Sequence, residues 1–298
     1  MRPFLDRPRL LLTLTSLFWA GNVIVGRAIA GAVPPVTLAC LRWVLATLIF
    51  LPFAWGSLRR DLGEIARHRG ILLFLGLIGP ACYNSLFYFG LVSTEALNGL
   101  VLNAAGPVFI ALAAWGFFGD RLSPLQLAGM AAGFAGMLLI IAKGDPFSLT
   151  GLRFNPGDLI LLTAIAAWST YTAFLRKRPR IGWQSYNFIT YAIAAIANVP
   201  IAAGELALGH SVTSGWAAAG AVIYVAIFPS LLAYIFYNRG VELLGPAAAG
   251  LYMFLIPAFG AALAVGLLGE TLHWFHTAGF ALIIGGVLIG SRRAVAVK

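Results

Sequence analysis

GFFGDRLSPLQLAGMAAGFAG, residues 116–136, returns in outline as GLLGETLHWFHTAGFALIIGG at residues 266–286. The same displacement of 150 residues sets Gly90 on Gly240, Pro107 on Pro257, Gly119-Asp120 on Gly269-Glu270, Leu122 on Leu272, Gly129 on Gly279 and Gly136 on Gly286. Further upstream the displacement slips by one residue, with Pro80 on Pro229 and Trp19 on Trp168. Self-similarity on this scale is read before any local structure. It describes a half-length unit written twice: a first repeat over residues 1–144, a Gly- and Pro-rich linker over 145–156, and a second repeat over 157–298.

Composition fixes the solvent around those repeats. The chain is 60% hydrophobic and 10% charged, with a mean hydropathy of +0.90, whereas soluble domains are roughly 25% charged. A bilayer core of about 30 Å calls for apolar segments near 20 residues, so chain length here counts helices rather than domains. The net charge of +10 would suit a phosphate-binding surface, but Lys and Arg gather in short clusters between apolar segments, which excludes a nucleic-acid partner and points to membrane orientation. Cys40 and Cys82 fall inside apolar segments, and a disulfide framework is not expected.

The pattern predicts ten spans: Leu10–Ala32, Pro35–Trp55, Gly70–Leu91, Ala96–Phe118, Pro124–Ala142, Gly157–Leu175, Trp183–Ala207, Trp216–Tyr237, Ala247–Leu268 and Trp274–Gly290. The first, with Arg2, Arg7 and Arg9 before it, is too long for a signal-peptide core, and its Trp19 has a mate in Trp168. With the N-terminus inside, 16 of the 20 basic residues fall on the cytoplasmic side, 3 fall opposite, and Arg42 lies within the second span. Both termini are therefore expected in the cytoplasm. Five spans per repeat is an odd number, so the second copy enters the membrane in the opposite sense. The expected fold is all-α, ten transmembrane helices as two inverted five-helix repeats, an arrangement that recurs in secondary transporters with the substrate site at the repeat interface.

Several of these residues carry a resemblance. Trp19-Ala20-Gly21-Asn22 and Trp168-Ser169-Thr170-Tyr171, the prolines Pro107 and Pro257, and the acidic turns Gly119-Asp120-Arg121-Leu122 and Gly269-Glu270-Thr271-Leu272 resemble the ten-helix, EamA-like branch of the drug/metabolite transporter superfamily. Within that branch the aromatic-rich spans look most like bacterial exporters of aromatic and other neutral amino acids. The resemblance implies alternating access in the inner membrane. It implies no cofactor and no resident metal.

Candidate binding residues follow from face and depth. Trp19, Asn22 and Gly26 share one face of the first span, and Trp168, Tyr171 and Leu175 the equivalent face of the sixth. Both tryptophans sit at mid-segment, unlike the interfacial Trp55, Trp216 and Trp274, which suits walls for an aromatic or aliphatic side chain. The third span offers Pro80, Tyr83, Asn84 and Phe87 on one stripe, and the eighth answers with Pro229, Tyr234 and Tyr237. A proline frees a backbone carbonyl that water or neighbours must satisfy, so these kinks are read either as a wetted cavity or as packing of bent helices. Asn98 and Asn103 precede Pro107, and Tyr252 precedes Pro257. Asparagine at membrane depth faces a neighbouring helix or a polar lumen. Arg42, about two turns inside its span, attracts a substrate carboxylate or snorkels to the headgroups. No Asp or Glu is placed at mid-depth.

Gly129, Gly133 and Gly136 offer a small-residue stripe, read as bundle packing or as a homodimer face, with a monomer the expected state. His273 and His276 lack the further ligands of a metal site. The leading function is export of small neutral metabolites, amino acids with aromatic or bulky side chains. Multidrug export by the same fold is the alternative, and a membrane enzyme or a non-transporting receptor fits less well.

Overall fold

The computed structural model describes residues 2–29, 31–94, 96–151, 153–213, 215–268 and 271–291. After a short turn at Arg2–Leu5, helices run α1 Pro8–Ala28, α2 Pro35–Arg67, α3 Arg69–Gly76, α4 Cys82–Ser93, α5 Ala96–Ala104, α6 Gly106–Phe118 and α7 Pro124–Ile141. They continue as α8 Pro156–Phe174, α9 Trp183–Ala207, α10 Trp216–Val225, α11 Ala233–Leu244, α12 Pro246–Leu251, α13 Leu255–Leu268 and α14 Trp274–Gly290. No strand interrupts them among the described residues. Cys40 and Cys82 are both free.

Local chemistry sets the boundaries. Proline opens α2, α7, α8 and α12, where its missing N–H is no loss. Ser123 and Gln126 form a reciprocal capping box on α7, as do Asn155 and Asp158 on α8. Gly119 ends α6 at φ +71°, a conformation that costs other residues strain.

Three departures from the expected ten spans have local causes. α2 does not stop at Trp55 but runs 33 residues to Arg67, because Leu58 to Ala66 is dominated by good helix formers and holds no proline, so that the cost of the lone Gly63 is absorbed. The fourth span is broken at Ala105, where Asn98–Ala104 and Gly106–Phe118 meet at 41°, with Gly106 and Pro107 ending one axis and starting the next. α14 has 17 residues, or roughly 25 Å at 1.5 Å per residue, short of the ~30 Å hydrocarbon core. Among the described residues, eight helices are long and apolar enough to cross a membrane, or nine with the bent pair as one span.

The third and eighth spans each widen into a π-helical segment, Leu77–Ala81 around Pro80 and Ala226–Leu232 around Pro229. Proline cannot close the i→i−4 bond. Across the second segment, Ser230 Oγ instead donates to the Val225 carbonyl at 2.7 Å. The stretch from Pro229 to Gly240 is one residue longer than that from Pro80 to Gly90. The slip in repeat register thus falls in the half with the longer π segment.

The two halves interleave. α1 packs on α11 and α13, while α8 packs on α4 and α6, so each half's first helix lies against the third and fourth spans of the other. α7 and α14 cross closely. A Cβ added at Gly129 would stand 2.5 Å from the Gly286 carbonyl oxygen, and one at Gly136 would stand 2.7 Å from that of Gly279. One added at Gly133 would meet the Phe254 ring at 2.5 Å. The small-residue stripe is therefore consumed inside the bundle.

α2 and α9 lie side by side, clasped at both ends by carboxylates. Glu205 accepts from the N–H groups of Val36 and Thr37 and from the Thr37 hydroxyl, at 2.6–3.2 Å. Asp61 accepts from Ser57 and Ser185 hydroxyls and the Gly182 N–H, at 2.6–3.2 Å. The start of α2 thus meets the end of α9 and the reverse, an antiparallel pair.

Candidate functional site

Two tryptophans meet where the halves interleave. The rings of Trp19 on α1 and Trp168 on α8 are 5.4 Å apart and nearly perpendicular, an edge-to-face geometry that aligns ring quadrupoles favourably. Around them α11 brings Tyr234 and Tyr237. Tyr237 lies 5.3 Å from Trp19 and 5.1 Å from Trp168, and Tyr234 6.1 and 5.6 Å. α4 adds Tyr83, 5.1 Å from Trp168, and α8 adds Tyr171 at 5.2 Å. Six of the sequence candidates thus form one aromatic cluster.

A polar chain threads that cluster. Trp19 Nε1 donates to the Pro229 carbonyl at 3.1 Å, the acceptor exposed by the π turn. Arg42 is 1% exposed. Its Nε donates to Ser230 Oγ at 2.7 Å, Nη2 to the Pro229 carbonyl at 3.2 Å, and Nη1 to Asn84 Oδ1 at 3.4 Å. Asn84 in turn donates to the Pro80 carbonyl and to Tyr234 Oη, so Arg42 and Asn84 bridge the two proline segments. Arg42 points inward and does not snorkel.

On the far side of Tyr234 lie residues that sequence reading passed over. Tyr191 Oη donates to the Leu231 carbonyl at 2.9 Å and to Asn187 Oδ1 at 3.3 Å. Asn238 Nδ2 also donates to Asn187 Oδ1, and Tyr171 Oη donates to Asn238 Oδ1, at 2.9 and 2.8 Å. Trp43 is fully buried, 4.9 Å from the Tyr234 ring and 5.4 Å from that of Tyr191. Asn187 with Tyr191, and Tyr234 with Asn238, are each spaced i, i+4 on one helical face, a signal available in the sequence.

Asn238 also lines a cleft of about 700 Å³ bordered by Arg176, Arg178, Arg180 and Glu242. Arg178 pairs with Glu242, which also accepts from Arg239 at 2.8 Å, and Arg239 bonds Asp6. Arg176 holds Asp120 with both terminal nitrogens. These charges form a latch at the end of the bundle that carries the Arg176–Arg180 turn.

The remaining candidates are placed differently. Asn98 donates to Asp158 Oδ2 and to the Arg153 carbonyl, both at 2.8 Å. Thr94 and Asn155 complete that group, which ties the α5 entry to the α8 cap. Its acid, Asp158, is 1% exposed and escaped notice because it caps a helix start. Tyr252 is buried, and its main-chain carbonyl accepts from Ser16 Oγ at 2.7 Å. Asn22 on α1 and Asn103 beside the α5–α6 break are half-buried, and their side chains make no hydrogen bond among the described residues. His273 and His276 engage one another as the α14 cap.

Residues equivalent between repeats touch each other here. Trp168 is the mate of Trp19. In the second and seventh spans a displacement of 148 sets Thr37 on Ser185, Trp43 on Tyr191, Pro52 on Pro200 and Gly56 on Gly204. Trp43 and Tyr191 are thus mates as well, and they too are in ring contact.

Known proteins supply an independent view. The chain is 26% identical to the uncharacterized transporter YyaM of Bacillus subtilis, over 93% of this chain and 90% of that protein. It is 26% identical to a probable terminal-alkyne amino-acid exporter of Streptantibioticus cattleyicolor, over 77% of this chain and 75% of that one. It is 25% identical to the uncharacterized inner membrane transporter YedA of Escherichia coli, over 92% and 87%. A solved crystal structure superposes with a TM-score of 0.74, covering 95% of each chain at 20% identity, a likeness of fold alone. The model of the EamA-like transporter family matches twice, over residues 8–142 and 155–292. Matched in both halves, this membrane protein belongs to the EamA-like transporter family.

Proposed function

We propose that this transporter exports small neutral metabolites, amino acids with aromatic or bulky neutral side chains, across the inner membrane by alternating access. The observation that carries the reading is the Trp19–Trp168 pair, 5.4 Å apart at the junction of the two halves. Aromatic walls hold an apolar side chain by area and geometry, and the polar chain beside them offers fixed donors and acceptors, the usual make-up of a small-molecule site. The Streptantibioticus relative, named a probable amino-acid exporter, supports the same substrate class.

The two halves, residues 1–144 and 157–298, act as inverted five-helix repeats joined by 145–156, with both termini in the cytoplasm. Support comes from reciprocity. Gly129 meets Gly286 while Gly136, the mate of Gly286, meets Gly279, the mate of Gly129. Thr37 bonds Glu205 while their mates Ser185 and Ser57 bond each other. A two-fold axis along the membrane plane produces both swaps. It also lets Trp19 touch Trp168, and Trp43 touch Tyr191, as residues beside an axis do. On this reading the Arg178–Glu242–Arg239–Asp6 latch lies on the cytoplasmic side, and the Asn98–Asp158 group lies opposite. The monomer is the transporting unit.

Flux into proteoliposomes across the twenty amino acids, with a few cationic drugs alongside, tests the substrate class. Bulky neutral amino acids are expected to move, and Trp19→Ala and Trp168→Ala to slow them about ten-fold, the loss of roughly 1.4 kcal/mol of binding at the transition state. Flux of no amino acid, or alanine variants that fold and transport normally, would sink the site. Reporter fusions at Lys298 and after Asp145 test the topology, which fails if both report from the same side.

A further inference from the structure

Arg42 is a full positive charge sealed among neutral groups. Its acceptors are a hydroxyl, an amide oxygen and a backbone carbonyl, and it makes no ion pair among the described residues. A guanidinium has five N–H donors. Three are used, leaving one hydrogen on each terminal nitrogen without an acceptor among the described residues. The side chain is 1% exposed, so water does not supply what is missing. Beside it Trp43, whose ring centre is 5.4 Å from the guanidinium carbon, is 0% exposed, and its Nε1–H has no acceptor among the described residues. Buried charges are ordinarily paired, and an intramembrane arginine costs roughly 2.5–3.5 kcal/mol even on the lenient insertion scales.

Both shortfalls are of one kind: too much positive charge and too many donors. The same atoms join the two proline segments, Pro80 through Asn84 and Pro229 directly. A ligand here would be felt by both bent helices at once.

We infer that Arg42, with Trp43 beside it, is a carboxylate-recognition site, so that the substrates of this transporter are carboxylic acids and organic cations are excluded. The inference rests on the aromatic junction being the substrate site. Two oxygens of a carboxylate match the two unused hydrogens, and Arg–carboxylate pairs are strong because the fork accepts them together. The carboxylate supplies the counter-charge, while the aromatic cluster takes the side chain.

Transport of phenylalanine and of phenylalaninamide, which differ only in the carboxylate, is compared in proteoliposomes bearing wild type, Arg42→Gln and Arg42→Lys. Wild type is expected to prefer the acid at least ten-fold. Arg42→Gln should bring the ratio near one, and Arg42→Lys, a point charge without the fork, should leave it between. A purely structural Arg42 would slow both compounds alike and keep the ratio, and that result overturns the inference. Thermal unfolding of the detergent-solubilised protein gives a second readout without flux. Phenylacetate should raise the midpoint of wild type, by mass action on the folded state, and phenethylamine should not. If neither phenylalanine nor its amide moves but phenylacetate still stabilises wild type selectively, the anion site stands and the export reading falls. If phenylalanine moves and phenylacetate has no effect, export stands and the anion site falls. Should Arg42→Gln not fold, the Arg42→Lys ratio and the wild-type phenylacetate shift decide.

Discussion

The glycine crossing of α7 and α14 and the second-span/seventh-span pair are both built from repeat mates, yet they have kept different amounts of the original likeness. At the crossing the two halves contribute the same residue in the same role, Gly129 against Gly286 and Gly136 against Gly279. In the α2–α9 pair the ends still correspond, Thr37 with Ser185, but at mid-depth Arg42 answers to Thr190. Thr190 spends its hydroxyl on carbonyls of its own helix, those of Tyr186 and Asn187, whereas Arg42 reaches across to both proline segments. Where the halves agree, the contact is scaffold. Where they diverged, a charge appeared that only one half carries, and that is where chemistry is to be sought.

The comparison can be broken most severely at the crossing. Gly129→Leu and Gly286→Leu each drive a side chain into opposing backbone, since the added Cβ would lie 2.5 Å from a carbonyl oxygen in either case. Overpacking costs about 1–3 kcal/mol where side chains can yield, and here they cannot. Both variants should lose the monodisperse peak in size-exclusion chromatography, while Gly116→Leu, with nothing within 4 Å, keeps it. At the junction, Trp19→Phe deletes the bond to the Pro229 carbonyl and leaves the ring; about 1 kcal/mol should appear as a roughly five-fold slower flux of the best amino acid.

The clasps come next. Glu205→Gln and Asp61→Asn should lower the unfolding midpoint by similar amounts, each about 1–2 kcal/mol from weaker hydrogen bonds to a carboxylate. A difference above about 1 kcal/mol would show that the two ends of the α2–α9 pair are not equivalent. The smallest effect belongs to Thr190→Val, which should change stability by under ~0.5 kcal/mol and leave flux within about two-fold of wild type. A large loss there would erase the contrast with Arg42.

Much of this was legible because the repeat is carried by residues with narrow steric roles. Glycines at a close crossing, prolines at kinks and paired tryptophans cannot drift without cost, so a fixed displacement finds them. Span ends were read less well. The continuation of α2 to Arg67 hides behind a drop in hydropathy that marks the membrane surface, not the end of hydrogen bonding. The polar chain was read in part, from the third and eighth spans, whose prolines drew attention. Asn187, Tyr191 and Asn238 were missed since each is ordinary alone, and only packing of spans far apart in sequence joins them. Asn98 illustrates the reverse: two partners that a linear reading could not supply, Asp158 and the Arg153 carbonyl, occupy it.

The π segments around Pro80 and Pro229 have one more consequence. Such a segment is a helix wound with a spare residue, and the spare can be handed along. Each residue that the spare passes is turned by about 100° and slid by about 1.5 Å, while the helix on either side keeps its place. On α11, migration of the spare from Ala226–Leu232 to beyond Tyr237 would swing Tyr234 and Tyr237 away from the tryptophans and bring other faces of that stretch inward, with the clasps at the bundle ends left fastened. Cysteine-accessibility scans of residues 233–244 with and without substrate would register it as a shift in phase, and an unchanged pattern would mean that these helices move as rigid rods.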